Sequence, residues 1–176
     1  MLNGLLSRIG SSGLRFLWIS LVVIGVDQWS KLLVLKEMAL SESYQMLPFF
    51  NLTYVRNYGA AFSFLHDAAG WQRWFFTLIA VGISGVILWW LSQTKRDQRI
   101  LPIAFTFVLG GALGNVYDRI AYGYVVDFLD VYVGSYHWPV FNIADSAIFI
   151  GAMLIILDMF INKKDTAENN EKSTHE

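Results

Sequence analysis

The sequence predicts an all-α membrane protein with a small β element, built from four transmembrane helices and a small extracytoplasmic β-sheet. Three observations lead to this fold class. Of the 176 residues, 55% are hydrophobic and only 15% are charged, whereas soluble domains carry about 25% charged residues. Four stretches are long and apolar enough to cross a bilayer, which takes about 20 helical residues. Segments between them are rich in aromatic and β-branched residues, which favour strands.

The predicted spans are residues 16–35, 74–92, 100–119 and 141–161. No charged residue lies between Trp74 and Thr94 or between Ile100 and Tyr117. A soluble all-helical domain is the alternative, but helices that are hydrophobic on every face could not be buried in a fold this small. The first span imitates a secretory signal, yet no small-residue cleavage site follows it, so we interpret it as a retained span.

Clusters of basic residues predict the orientation. They precede the first span, fill the turn between the second and third spans, and follow the fourth span: Arg8 and Arg15; Lys95, Arg96 and Arg99; Lys163 and Lys164. An even number of spans places these clusters on one side, which the positive-inside rule assigns to the cytoplasm. We therefore expect one domain over residues 1–162, with external loops at 36–73 and 120–140. Residues 163–176 are polar and are predicted to be a disordered cytoplasmic tail.

Both external loops contain candidate strands. Residues 50–55 are rich in aromatic and β-branched side chains. Segments 127–133 and 136–141 flank Gly134-Ser135, which predicts a hairpin with a two-residue turn and glycine first. These strands would form the sheet above the helices.

Polar residues in the outer third of the bilayer are the candidates for chemistry, because a charge near the bilayer centre costs on the order of 2.5–3.5 kcal/mol. With a rise of about 1.5 Å per residue, Lys31 and Asn115 lie roughly 6 Å below the external interface and Asp27 roughly 12 Å below it. Asp145 opens the fourth span at the same end. Three spans thus contribute to one polar layer.

Each of these residues also has a structural interpretation. Asp27 and Lys31 are four residues apart and could form a neutralised pair on one helix face. Asp145 could be the N-cap of the fourth span. Asp118 and Arg119 are interpreted as a charge pair at the interface.

Several other features carry no predicted chemistry. Gly110 and Gly114 form a small-xxx-small pattern, which is typical of close helix packing. His66 and His137 lack a partner at a metal-ligand spacing, and no serine has a nearby His or Lys in a recognisable nucleophile arrangement. With no cysteine in the chain, we predict no metal, no cofactor and no covalent nucleophile.

Five segments resemble, in order, the motifs of the bacterial signal peptidase II family of intramembrane aspartyl peptidases. They are DQWSK (27–31), NYGAAFS (57–63), GGALGNVYDR (110–119), VVDF (125–128) and FNIADS (141–146). The resemblance implies a multi-pass enzyme of the bacterial cytoplasmic (inner) membrane. It would remove signal peptides from prolipoproteins by cutting before a diacylglyceryl-modified cysteine.

The resemblance also implies roles for individual residues. The family's catalytic pair falls on Asp127 and Asp145. Its substrate-binding or supporting residues fall on Asp27, Lys31, Asn57, Gly111, Asn115, Arg119 and Asn142. The implied partners are lipidated precursors, membrane lipids and the inhibitor globomycin, with no nucleic acid, and we expect a monomer.

Elementary chemistry agrees with a carboxyl pair. Peptide hydrolysis without a metal or covalent intermediate needs one carboxylate to activate water and another carboxyl to polarise the carbonyl and protonate the leaving amine. A transporter or channel is the alternative, but it would need polar residues down to the cytoplasmic face, where the second and third spans are apolar. A structural membrane module would not require two carboxylates at helix ends.

Overall fold

In a computed structural model of the chain, residues 10–59 and 70–173 are described, and within them lie four long helices and four strands. A 3₁₀ turn at Gly13–Phe16 leads into the first helix. The helices are α1 (Leu17–Glu37), α2 (Trp71–Gln93), α3 (Ile100–Ala121) and α4 (Ile143–Ser173). The strands are β1 (Ser43–Leu47), β2 (Phe50–Asn57), β3 (Val125–Val133) and β4 (Tyr136–His137).

The four predicted spans are confirmed as helices long and apolar enough to cross a membrane. These segments are Gly13–Glu37, Trp71–Gln93, Ile100–Ala121 and Ile143–Ile161. The fourth begins two residues later than predicted, because Phe141 pairs with Leu129 in an isolated β-bridge and Asn142 caps the helix. The large apolar side chains of α2, such as Trp74, Leu78 and Trp89, are exposed as a lipid-facing surface requires.

The last helix differs from the prediction at its far end. It continues to Ser173, where the sequence predicts a disordered tail from residue 163 onward. No glycine or proline follows Gly151, and lysine, alanine and glutamate all favour helix, so nothing local interrupts it.

The centre of the bundle is α3, which is the most buried of the four spans and packs against each of the other helices. Glycines allow the close approach. A Cβ at Gly110 would lie 2.8 Å from the Val23 Cβ of α1, and one at Gly114 would lie 2.7 Å from Asp27 Oδ2. The predicted packing role of these two glycines is therefore confirmed.

The sheet is antiparallel with the order β1-β2-β3-β4. The predicted strand at 50–55 lies within β2, and the predicted hairpin is present, with Val133 paired to Tyr136 and φ of +60° at Gly134. Strand β4 is shorter than the predicted 136–141. The strand β1 was not predicted, and its five residues are all exposed.

Two apolar clusters hold the sheet and the bundle in place. Val34 of α1 packs with Tyr54, Val126 and Phe128 beneath the sheet. At the opposite end of the bundle, a second cluster joins α2 and α3 through Ile87, Leu91, Phe105 and Leu109. The first cluster fixes the start of β3 directly above the helices, where the predicted site residues lie.

Candidate active site

Asp127 is the third residue of β3 and is 1% exposed. It is held there because Val125, Val126 and Phe128 are all buried in the core. Its Oδ1 accepts a hydrogen bond from Asn142 Nδ2 at 2.6 Å, and its Oδ2 accepts one from Asn57 Nδ2 at 2.9 Å. Both carboxyl oxygens are thus oriented by neutral amides.

Asp145 lies in the first turn of α4 and is partly exposed. The structural interpretation of the sequence made Asp145 the N-cap of this helix, but the structure places another residue there. Asn142 is the cap: its Oδ1 accepts the Asp145 N–H at 2.9 Å, while Asp145 Oδ2 accepts the Asn142 N–H at 3.2 Å. This reciprocal arrangement is a capping box, which fixes the carboxyl against the helix start.

Two asparagines connect the carboxyl groups. Asn142 contacts both, because its side-chain amide reaches Asp127 and its backbone N–H reaches Asp145. Asn115 Nδ2 donates to Asp145 Oδ1 at 2.8 Å, and Asn115 Oδ1 accepts from Asn142 Nδ2 at 3.2 Å. The structure therefore brings Asp127, Asp145, Asn57, Asn115 and Asn142 into one hydrogen-bonded network.

The electrostatics of this network favour a retained proton. Burial, and then the nearby charge of Asp145, raise the pKa of Asp127 to about 7, although the hydrogen bonds from Asn57 and Asn142 oppose the shift. Two carboxyls this close resist simultaneous ionisation. The raised pKa of Asp127 favours its protonated form near neutral pH, and acid–base chemistry uses such a proton.

A second polar cluster lies directly beneath. The Lys31 ammonium, 1% exposed, lies 2.8 Å from Asp27 Oδ2, 2.9 Å from Asp118 Oδ2 and 2.9 Å from Asn115 Oδ1. The expected pairing of Asp27 with Lys31 is therefore present. Asp27 Oδ1 also accepts the Ala144 N–H at 2.9 Å, which ties α1 to the first turn of α4.

Asp118 was placed wrongly by sequence reasoning, which paired it with Arg119 at the interface. It is 0% exposed and pairs with Lys31 instead, and its Oδ2 also accepts the Val126 N–H at 3.1 Å. A signal was available, because Asp118 follows Asn115 by three residues and so shares its helix face. Gln28 was also missed; its amide donates to Asp118 Oδ1 at 2.8 Å.

Arg119 and Gly111 lie at the edge of this assembly. The Arg119 guanidinium donates to the Asn115 carbonyl at 3.3 Å and lies 5.7 Å from the centre of the Phe76 ring. A Cβ at Gly111 would clash with the Ala144 carbonyl oxygen and lie 2.8 Å from Ile148 Cγ1. Gly111 therefore lets the first turn of α4, which carries Asp145, approach α3.

The polar layer is fully paired. Across the described ranges 10–59 and 70–173, no buried side-chain nitrogen or oxygen lacks a hydrogen-bond partner. In the same ranges, no group of three or more His, Asp or Glu side chains is arranged to hold a metal ion. Positions 60–63 of the second sequence motif and His66 lie outside the described residues.

Comparison with known proteins places the chain in a family. A model of signal peptidase (SPase) II matches residues 19–161. The lipoprotein signal peptidase of Alteromonas mediterranea is 64% identical over 166 residues, covering 94% of this chain and 91% of the relative. That of Shewanella oneidensis is 55% identical over 161 residues, covering 92% of this chain and 95% of the relative.

A solved structure supports the same assignment. It is that of a bacterial membrane enzyme determined by the in meso method, with a TM-score of 0.75 and 31% identity, covering 86% of this chain and 90% of the other. Together with four membrane-spanning helices and the signal peptidase II match over most of the chain, this shows a multi-pass membrane peptidase. The chain belongs to the signal peptidase II family.

Proposed function

We propose that this chain is an aspartic endopeptidase that removes signal peptides from prolipoproteins by cutting before the diacylglyceryl-modified cysteine. Asp127 and Asp145 are its catalytic pair, and a water molecule is the nucleophile. The observation that carries the proposal is the link between the two carboxyls: Asn142 donates to both, and the pKa of Asp127 is raised to about 7.

The chemistry follows from one shared proton. The ionised member of the pair removes a proton from water, and the protonated member polarises the scissile carbonyl. The resulting tetrahedral intermediate collapses when a carboxyl donates its proton to the leaving amine. Because the two groups titrate as a pair, the proton belongs to both rather than to either one.

The neighbouring amides have a positioning role in this mechanism. Asn57 and Asn142 orient Asp127, while Asn115 orients Asp145. These side chains are neutral, so they fix the carboxyls without supplying a positive charge that would draw the proton away. Asp27 and Lys31 support the pair from below, Gly111 sets the helix spacing, and Arg119 donates to the Asn115 carbonyl at the edge of the network.

The position of the pair suits a lipidated substrate. Asp145 lies in the first turn of α4, and Asp127 lies near the start of β3. The peptide is therefore cut near the membrane surface while the acyl chains stay in the bilayer. In the orientation predicted from the basic clusters, both termini are cytoplasmic and the site faces the outer leaflet of the inner membrane. Globomycin would compete for the same site, and a single chain carries the whole site.

A transport function has less support. The end of the bundle away from the sheet is closed by the apolar cluster of Ile87, Leu91, Phe105 and Leu109, among which Leu91 is fully buried. An ion or proton path would need polar groups there.

The direct test is cleavage of a precursor by purified protein in detergent. The substrate is supplied in two forms, with and without diacylglycerol on the cysteine, and the cut is located by mass spectrometry of the products. We expect cleavage immediately before the modified cysteine, inhibition by globomycin, and no product from the unmodified form. A folded protein that leaves the lipidated form intact contradicts the proposal.

A further inference from the structure

Within residues 10–59 and 70–173, three arginines on the sheet side of the bundle have no acidic partner at salt-bridge distance. They are Arg56 near the end of β2, Arg73 in the first turn of α2 and Arg119 in the last turn of α3. Salt bridges among residues 10–59 and 70–173 involve Lys31, Lys36 and His137, but none of these guanidinium groups. Each guanidinium instead lies against an aromatic ring.

Arg56 is exposed and rests on tyrosines. Its guanidinium carbon lies 4.7 Å from the ring centre of Tyr124 and 5.9 Å from that of Tyr54, and its Nε donates to the Tyr54 hydroxyl at 3.0 Å. The side chain is therefore held in place before any ligand arrives, which reduces the entropy lost on binding.

Arg73 reaches the same loop from the other direction. Its Nη1 lies 3.0 Å from the position that a Cβ on Gly123 would occupy, and Gly123 has φ of +85°. The missing side chain at Gly123 thus leaves room for the guanidinium. Because Gly123 and Tyr124 are adjacent, with Cα atoms about 3.8 Å apart, Arg56 and Arg73 rest on neighbouring residues of the α3–β3 loop.

This loop lies at the level of lipid headgroups. Trp71 and Trp74 at the start of α2 and Tyr117 near the end of α3 are about half exposed, and such aromatic residues mark the membrane–water interface. Below Arg73, the exposed apolar face of α2 continues through Phe75 and Leu78. A ligand that fits both surfaces has an anionic head and hydrocarbon tails.

We infer that Arg56 and Arg73, with loop residues 122–124 between them, bind the phosphodiester headgroup of a bilayer phospholipid. A guanidinium group binds phosphate through paired N–H donors. Without such a ligand, a water-exposed arginine directs these donors to solvent. The lipid tails lie along the outer face of α2. Arg119 is excluded from this site, because it is half-buried and donates to the Asn115 carbonyl.

The test is lipid binding by native mass spectrometry of detergent-solubilised protein, which does not depend on the proposed peptidase activity. Phosphatidylglycerol is compared with diacylglycerol, which has the same tails and no phosphate. We expect wild type to retain phosphatidylglycerol. The double variant Arg56→Gln/Arg73→Gln should bind it at least about tenfold more weakly. The matched control is Arg96→Gln/Arg99→Gln at the opposite end of the bundle, which should bind as wild type does.

Other outcomes overturn the inference. The proposed site is wrong if wild type and the double variant bind phosphatidylglycerol equally. It is also wrong if wild type binds diacylglycerol and phosphatidylglycerol equally. Displacement of the lipid by millimolar inorganic phosphate assigns a free-phosphate site instead. If the double variant does not fold, the single variants Arg56→Gln and Arg73→Gln are tested in the same way. Each should lose part of the affinity for phosphatidylglycerol. The variants Arg56→Lys and Arg73→Lys should each retain more affinity than the corresponding Gln variant.

Discussion

Two pairs of carboxyl groups lie next to each other in this protein, and their neighbours differ in charge. Asp27 and Asp118 face the Lys31 ammonium at 2.8 and 2.9 Å. Asp127 and Asp145 are oriented by asparagine amides and have no cation within salt-bridge distance in the described part of the chain.

This difference supports a structural role for the lower pair and the chemical role that we propose for the upper pair. The lower pair has an opposite charge at its centre, so its carboxylates hold α1, α3, α4 and β3 together. The upper pair has only neutral donors, so burial holds a proton within it near neutral pH. In the described part of the chain, the two pairs differ in whether a cation lies within salt-bridge distance of the carboxyl groups.

Removing either upper carboxyl should have the largest effect on activity. We expect Asp127→Asn and Asp145→Asn each to reduce cleavage of a lipidated precursor by about 10³-fold or more. Both variants should insert and bind globomycin at least weakly, because Asn keeps the shape but cannot exchange the proton. The double variant should be little worse than either single, because the two groups act as one device. Near-normal turnover by either single variant would remove the assignment.

Removing the central cation should have the largest effect on stability. Lys31→Met leaves Asp27 and Asp118 facing each other without compensation, and breaking a buried pair in this way costs about 3–5 kcal/mol. The measurement is the thermal unfolding midpoint in detergent. Lys36→Met is the matched control, since Lys36 is 78% exposed and pairs only with exposed Glu37. Similar midpoints for the two variants would contradict the role given to Lys31.

The lower pair should affect folding more than turnover. Asp27→Ala removes one carboxyl from Lys31 and the acceptor of the Ala144 N–H, but Asp118 still faces the ammonium. We expect a lower unfolding midpoint or weaker substrate affinity, with measurable kcat. A stable Asp27→Ala protein as inactive as Asp145→Asn would move Asp27 into the catalytic group.

The comparison can also be tested through the pH dependence of stability. The pKa of folded Asp127 is raised to about 7, whereas an unfolded aspartate titrates near about 3.9. Between these values the folded state keeps a proton that the unfolded state has released, so this group makes stability fall as pH rises. Midpoints measured from about pH 4.5 to about 7.5 should therefore decline more in wild type than in Asp127→Asn. Equal slopes would show that Asp127 does not hold the proton.

Much of the fold was predictable because it depends on local pattern. Charge-free apolar stretches predicted α2 and α3, and Gly134-Ser135 predicted the hairpin. Strand β1 was not predicted, because it buries no apolar face and depends on its pairing with β2. The helical end of α4 was missed for a related reason, since a polar composition does not exclude a helix.

The polar layer was predictable in part. The depth estimate brought together Asp27, Lys31, Asn115 and Asp145, because the cost of burying charge restricts where such residues lie. Asp118 was missed because its neighbour Arg119 offered a simpler partner in sequence, whereas its ammonium partner is 87 positions away. The roles of the catalytic and supporting residues stay predictions until variants are measured.

The hydrogen bond between Asp27 and the Ala144 N–H has a consequence for the order of assembly. It joins the first span to the last one, which leaves the ribosome more than a hundred residues later. Until then, Asp27 and Lys31 neutralise each other within one helix turn, so the first segment enters the lipid without a net charge in its centre. Docking of α4 then supplies the missing donor and brings Asp145 into place in the same event, so this contact forms only after α4 has been made.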